Sequence, residues 1–145
     1  MWSDHDVGTL APPTLPMHPP ADRGNVMVTL CWAAKGGSGT TVVAASTALA
    51  SSRPALLVDL DGEQPAVLGL PEPLLPGVGD WLATGTATAQ LDDLLIDIGP
   101  TTWLLPWRSG SGLLAAPDAD RWQQLARWLL DWADEHRGEV VFDAG

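Results

Sequence analysis

Lysine and cysteine each occur once in these 145 residues and tyrosine not at all, and each shortage closes off a class of function. A lone Cys31 cannot form an internal disulfide, and three scattered histidines have no metal-ligand spacing, which points to a reducing cytoplasm rather than to a disulfide or zinc scaffold. Basic residues are scarce too. Seven Lys and Arg stand against eighteen Asp and Glu, for a net charge of -11. Such a chain has no cationic surface with which to hold nucleic-acid phosphates or an anionic membrane, so direct nucleic-acid binding is not expected, and proteins or nucleotides remain as partners. No run approaches the roughly 18 uncharged apolar residues of a spanning helix, so there is no transmembrane segment. The first residues also lack the basic and apolar regions of a signal peptide.

What the chain does have is apolar material, 46% of its residues, enough for the core of one domain. Residues 1–25, with five prolines between Pro12 and Pro20, read as a disordered Pro-rich tail. The domain is then expected over residues 26–145. VMVTLCWAA is a short apolar strand, followed by glycines and by TTVVAASTALASS, a helix of small residues. ALLVDLD gives a second strand and TTWLLPW a third, closed by Pro106 and the RSGSG loop. GVGDWLATG and AQLDDLLIDI read as short helices between them. The long segment DADRWQQLARWLLDWADEHR places Trp122, Leu125, Ala126, Leu129 and Ala133 on one helical face, ahead of a last strand, EVVFD. Strands alternating with helices predict an α/β domain, a parallel sheet with helices on its faces.

The chemistry concentrates between the first strand and its helix. Lys35-Gly36-Gly37-Ser38-Gly39-Thr40-Thr41 holds the only lysine of the chain. Backbone N–H groups of such a loop and the helix N-terminus behind it can cradle an anion. Asp59 and Asp61 follow the second strand and Asp143 ends the last one. Ordinary turn chemistry also accounts for aspartates at strand ends.

These residues resemble the deviant Walker A ATPases of the MinD and ParA kind, P-loop proteins whose loop reads K-G-G-x-G-K-[ST]. The resemblance covers about residues 26–145 and then stops, since family domains continue well past the last strand, so a C-terminally truncated domain is expected. It implies ATP and Mg2+ as cofactors, bound by Lys35 to Thr41. Lys35 matches the signature lysine that reaches the partner's phosphates across an ATP-dependent homodimer, and Thr41 matches the magnesium-ligating hydroxyl. Asp59 and Asp61 match the family's D-x-D, one carboxylate placing magnesium and the other the attacking water, and Asp143 matches the Walker B aspartate. On this basis Lys35 and Asp61 are the catalytic candidates, and Thr41, Asp59 and Asp143 the metal candidates. Thr40 departs from the pattern, standing where the second lysine contacts the β- and γ-phosphates. Losing one charge-assisted hydrogen bond weakens binding on the order of 10- to 100-fold, and turnover more. That replacement is most similar to the CpaE/TadZ pilus-assembly branch and to actinobacterial septum-site-determining proteins.

Three functions compete at this point. A nucleotide-responsive regulator that places septa, pili or secretion machinery would use ATP to control assembly, with weak or no hydrolysis. A non-enzymatic scaffold would keep the fold alone. A Rossmann dinucleotide module would use Gly37 and Gly39 before Val42, with Asp59 twenty residues after Gly39 as the ribose-binding acid, but its third glycine is missing. Most of the eight tryptophans are expected in the core, with Trp128 at the edge of the long helix's stripe, and Cys31 as inert strand filling. If the family's strand order holds, the first strand becomes an exposed sheet edge.

Overall fold

The computed structural model describes residues 25–71, 76–83, 90–108 and 119–145. The tail, most of the RSGSG loop and the end of GVGDWLATG therefore lie outside the described residues. Apolar runs of strand-forming residues make β1 (Met27–Cys31), β2 (Ala55–Asp59), β4 (Thr102–Leu105) and β5 (Glu139–Asp143), all mutually parallel. The helices are α1 (Thr40–Leu49), α2 (Gln64–Val67), α3 (Val78–Ala83) and α4 (Ala119–His136). With β3 (Ile96–Gly99), the strand order is β1-β5-β2-β4-β3.

Two departures from expectation concern LDDLLIDI. Its first half is a single 3-10 turn, Leu91–Leu94, opened by a capping box between Gln90 and Asp93. Its second half is β3 (Ile96–Gly99), paired antiparallel to β4 through the tight turn at Gly99 to Thr102, so the sheet is mostly rather than wholly parallel. The alternation of apolar Leu95, Ile96 and Ile98 with Asp97 suits a half-covered edge strand, and only two residues separate β3 from β4, too few for a parallel crossover. The short α2, with Pro65 in its first turn, was not anticipated either.

Cores form on both faces of the sheet. On one, Ala44, Ala45 and Ala48 of α1 pack against Leu57, Leu104 and Val141; small side chains there let helix and sheet approach closely. On the other, Leu125, Leu129, Trp132 and Ala133 of α4 meet Leu56, Val58 and Val140. Of the expected stripe on α4, Leu125, Leu129 and Ala133 are buried, as is Trp132 beside it, whereas Trp122 and Ala126 are exposed. Trp81 is also buried, Trp103, Trp107 and Trp128 pack against the core, and Trp32 is 68% exposed. Gly138 joins α4 to β5 where a Cβ would stand 2.6 Å from the Pro54 carbonyl and 2.9 Å from the Trp132 ring, so only glycine fits.

Among the described residues β1 is hydrogen-bonded on one side only, to β5. It is an edge strand, and Val28 and Leu30 are 52% and 64% exposed. Beside it, Val28, Trp122, Ala126, Leu130 and Phe142 line an open apolar trough between β1 and α4.

Candidate functional site

The site is assembled where the parallel strands end. In-register pairing of β2 and β5 sets Asp59 opposite Asp143, and pairing of β1 with β5 sets Cys31 beside Asp143. The chain beyond each strand is tied across the same edge: Ala144 N–H donates to the Cys31 carbonyl at 3.0 Å and Ala33 N–H to the Gly145 carbonyl at 3.1 Å. The loop that leaves β1 therefore starts from a fixed point.

Residues Lys35 to Gly39 are exposed and curve over this edge into α1. Gly37 and Gly39 have φ of 79° and 81°, the left-handed region that glycine enters at little cost. A Cβ added at Gly36, Gly37 or Gly39 would meet nothing within 4 Å, so the space beside these glycines is open. Gly39 is the N-cap of α1 and offers no side-chain cap, and no acidic residue occupies the first turn. The partial positive charge of that helix end thus meets no protein anion on its own first turn, which suits a phosphate. Thr40 and Thr41 are the first two helical residues, and Thr40 Oγ1 is hydrogen-bonded to Ser38 Oγ at 2.8 Å. At the position where the second lysine is missing, a short hydroxyl is turned back into the loop.

Behind the loop, one carboxylate oxygen from each of Asp59, Asp61 and Asp143 lies within 4.8 Å of the others. Asp59 and Asp143 are fully buried and Asp61 is exposed. Asp59 Oδ1 accepts the Gly62 N–H at 2.7 Å and the Asp61 N–H at 3.2 Å, so this side chain does shape the turn, as an aspartate after a strand commonly does. Burial pushes its carboxyl up to about 7, helped by the neighbouring Asp61 carboxylate and opposed by those two N–H donors. Burial and the nearby Asp143 also raise the Cys31 thiol, the reverse of what a reactive thiolate needs, which suits its expected role as filling.

Gln64 is the site residue that sequence reasoning missed. It has no exposed surface, and its Nε2 donates to the Thr41 carbonyl at 2.9 Å and to Asp143 Oδ2 at 2.8 Å, joining the first turn of α1 to the carboxylates. The available signal was a polar residue placed immediately before Pro65, three residues after the D-x-D, where α2 was not anticipated.

The donor set fits the group that the motif implies. Oxygen ligands without sulfur or imidazole suit a hard cation such as Mg2+, and two hydroxyls and open glycines suit a phosphate beside it. Every candidate named from the sequence, Lys35 to Thr41 with Asp59, Asp61 and Asp143, belongs to this one end of the sheet. Trp128, by contrast, lies away from it, its indole N–H donating to Asp92 Oδ2 at 3.3 Å.

No family model and no curated protein matches the chain. Solved structures do. The MinD cell division protein of Aquifex aeolicus, also matched in a MinC:MinD complex, is 24% identical with a TM-score of 0.60, over 81% of this chain and 46% of that one. Cobyrinic acid a,c-diamide synthase of Mycobacterium smegmatis, solved with bound ATP analog and magnesium, is 25% identical with a TM-score of 0.64, over 81% of this chain and 50% of that one. The septum site-determining protein MinD of Pyrococcus horikoshii OT3, complexed with Mg-ADP, is 20% identical with a TM-score of 0.54, over 83% of this chain and 49% of that one. The chain spans about half the length of these structures and has their P-loop NTPase fold.

Proposed function

We propose that residues 26–145 are the phosphate-binding part of a MinD/ParA-type nucleotide-binding protein, one that binds ATP with Mg2+ weakly, turns it over slowly if at all, and uses it to regulate assembly. The observation that carries this reading is the open glycine loop on the uncapped N-terminus of α1, set against a carboxylate cluster, with Thr40 where a lysine is needed. Lys35 to Thr41 would hold the phosphates, Thr41 with Asp59 and Asp143 the ion, and Asp61, the exposed carboxylate, would orient water. The bound ion would supply positive charge to the phosphates. The protein's share is then to position: Gln64 ties the Thr41 carbonyl to Asp143, so a movement of the Asp143 carboxylate reaches the first turn of α1.

Within that reading the CpaE/TadZ-like or septum-site branch is favoured by the kept Lys35 and lost second lysine, which suits a spatial regulator of septum, pilus or secretion machinery. Protein partners, including an ATP-dependent homodimer, are consistent with a MinD neighbour solved as a MinC:MinD complex and with the acidic net charge of -11. No helix among the described residues is long and apolar enough to cross a membrane. Thr40 equally favours a second reading, a pseudo-ATPase scaffold in which nucleotide no longer matters. The dinucleotide reading loses its main support, because a ribose-binding acid must be reachable and Asp59 is buried with its Oδ1 engaged by its own turn.

The test is equilibrium binding of a fluorescent ATP analogue with Mg2+ to wild type, Lys35→Ala and Thr40→Lys, with sedimentation in parallel. Thr40→Lys is expected to tighten binding about 10- to 100-fold, and Lys35→Ala to abolish any nucleotide-dependent dimer. Absence of binding in every folded variant would leave the scaffold.

A further inference from the structure

Native sheets blunt their edges with lysine, proline, inward-pointing charge or a bulge, because an open edge pairs with other chains. The edge strand β1 has none of these. The stretch from Asn25 to Ala34 carries no charge and no proline, and the register with β5 runs unbroken from Met27 to Cys31. Its outer hydrogen-bonding groups are open as well. The Cys31 carbonyl accepts the Ala144 N–H on the β5 side, so alternation along the strand turns the N–H and C=O of Val28 and Leu30 away from the sheet. No backbone bond among the described residues takes them up.

Apolar side chains gather along the same border. Of the ten large apolar side chains exposed among the described residues, six are here: Met27, Val28, Leu30 and Trp32 on or just after β1, and Trp122 and Leu130 on the α4 wall of the trough. Together they expose on the order of 600 Å² per copy, near the ~800 Å² that each partner contributes to a stable interface.

We propose that a second copy of the chain docks on this border, β1 against β1, antiparallel about a twofold axis at Thr29. That register sets Val28 opposite the partner's Leu30 and Leu30 opposite the partner's Val28, the residues whose N–H and C=O point outward, with Thr29 facing the partner's Thr29 between them. Facing apolar pairs and facing threonines both favour cross-strand contact, so the border is complementary to itself, as an isologous contact requires. Charge selects the same place. Two copies of net charge -11 repel over most of their surfaces, and a stretch free of carboxylates is where they approach at least cost. An axis perpendicular to the sheet keeps both α4 helices on one face, so the partner's Val28 and Leu30 extend the floor of the trough beside Trp122 and Leu130. This contact uses neither the glycine loop nor nucleotide, and it is separate from the ATP-dependent dimer considered above.

The experiment is sedimentation equilibrium of the full chain in EDTA without nucleotide. A dimer is expected, and Leu30→Lys, which brings an ammonium into both symmetric pairs, should raise its dissociation constant by roughly tenfold or more while the circular dichroism spectrum stays unchanged. Threonines facing each other in a non-hydrogen-bonded pair have Cα atoms about 4.5 Å apart, within disulfide reach, so oxidation by copper phenanthroline should join Thr29→Cys chains, in a Cys31→Ser background, into a covalent dimer. A folded chain that stays monomeric, a dimer that Leu30→Lys leaves intact, or a dimer that does not crosslink would overturn the proposal. So would a monomer whose Val28 and Leu30 amides resist hydrogen exchange, which would assign the edge to residues 1–24 of the same chain. Association only after ATP and Mg2+ are added would also overturn it and leave the nucleotide reading standing. The crosslinked dimer in a chain that never binds the ATP analogue would support the edge contact and refute the nucleotide reading.

Discussion

Replacing Asp59 by asparagine should stabilise the metal-free protein, and the gain should depend on pH in a defined direction. The carboxyl titrates near 7 in the folded chain against an ordinary value of 3.8, chiefly because it is buried. Folded protein therefore keeps a proton on Asp59 that the unfolded chain has already released. Between about pH 4 and pH 7 the unfolded state binds fewer protons, so wild-type stability falls as pH rises through this window and levels off above it. The whole interval corresponds to at most ~4 kcal/mol, and because Asp61 gives the cluster an exposed side, about 1–3 kcal/mol is the reasonable expectation. Asparagine keeps an oxygen for the Gly62 and Asp61 N–H groups and can donate from Nδ2 to the Asp61 carboxylate, while carrying no charge. Urea unfolding of both proteins in EDTA, at about pH 4 and about pH 8, reads the difference directly. Asp59→Asn should be the more stable at the higher pH and nearly equal at the lower one. An asparagine variant less stable than wild type near pH 8, or a gain of the same size at both pH values, would refute the reasoning.

Two further substitutions test the scaffold. Gly138→Ala drives a methyl group against the Pro54 carbonyl and the Trp132 ring, neither of which can withdraw, and should cost roughly 2–4 kcal/mol by the same urea assay. Leu30→Lys places a charge on the exposed edge strand, where Leu30 is 64% exposed; it should lower self-association by light scattering while changing stability by no more than about 0.5 kcal/mol.

Much of the fold was legible because its signals are local. Apolar runs bounded by glycine, proline or aspartate marked β1, β2, β4 and β5 to within a few residues, and the loop motif fell between a strand and a helix as its chemistry demands. Where the reading failed, tertiary context decided. LDDLLIDI carries a helical beginning and an extended end, and which part prevails depends on β4, which begins three residues beyond Gly99. On α4, Leu125, Leu129 and Ala133 are buried as its periodicity predicts, yet Trp122 is exposed, while Trp132 is buried, stacked against His136 at 4.4 Å and edge-on to Trp103 at 5.8 Å. The first is an i,i+4 contact within α4, whereas the second, to β4, is not visible from spacing along one helix. Gln64 was missed for the same reason: its two partners, Thr41 and Asp143, lie 23 and 79 residues away, and the motif says only that a turn follows Asp61.

The substitution at position 40 is the part of the site where sequence and structure inform each other most. Sequence shows that a cation is absent; structure shows that restoring it needs no repacking. Thr40 is only half-buried, its hydroxyl is hydrogen-bonded to Ser38 within the loop, and the open space around Gly36, Gly37 and Gly39 leaves room for a longer side chain. A lysine there would forgo one exposed hydroxyl pair, worth about 1 kcal/mol or less, and gain a charge directed at the cradle. Lys35→Ala, by contrast, removes the loop's one positive charge and cannot separate weakened phosphate contact from a loop left facing three carboxylates alone. Thr40→Lys is thus the sharper probe. If it tightens binding, the missing charge is the defect; if it does not, the obstacle is the uncompensated carboxylate cluster, and saturating divalent cation rather than lysine should be what restores nucleotide affinity.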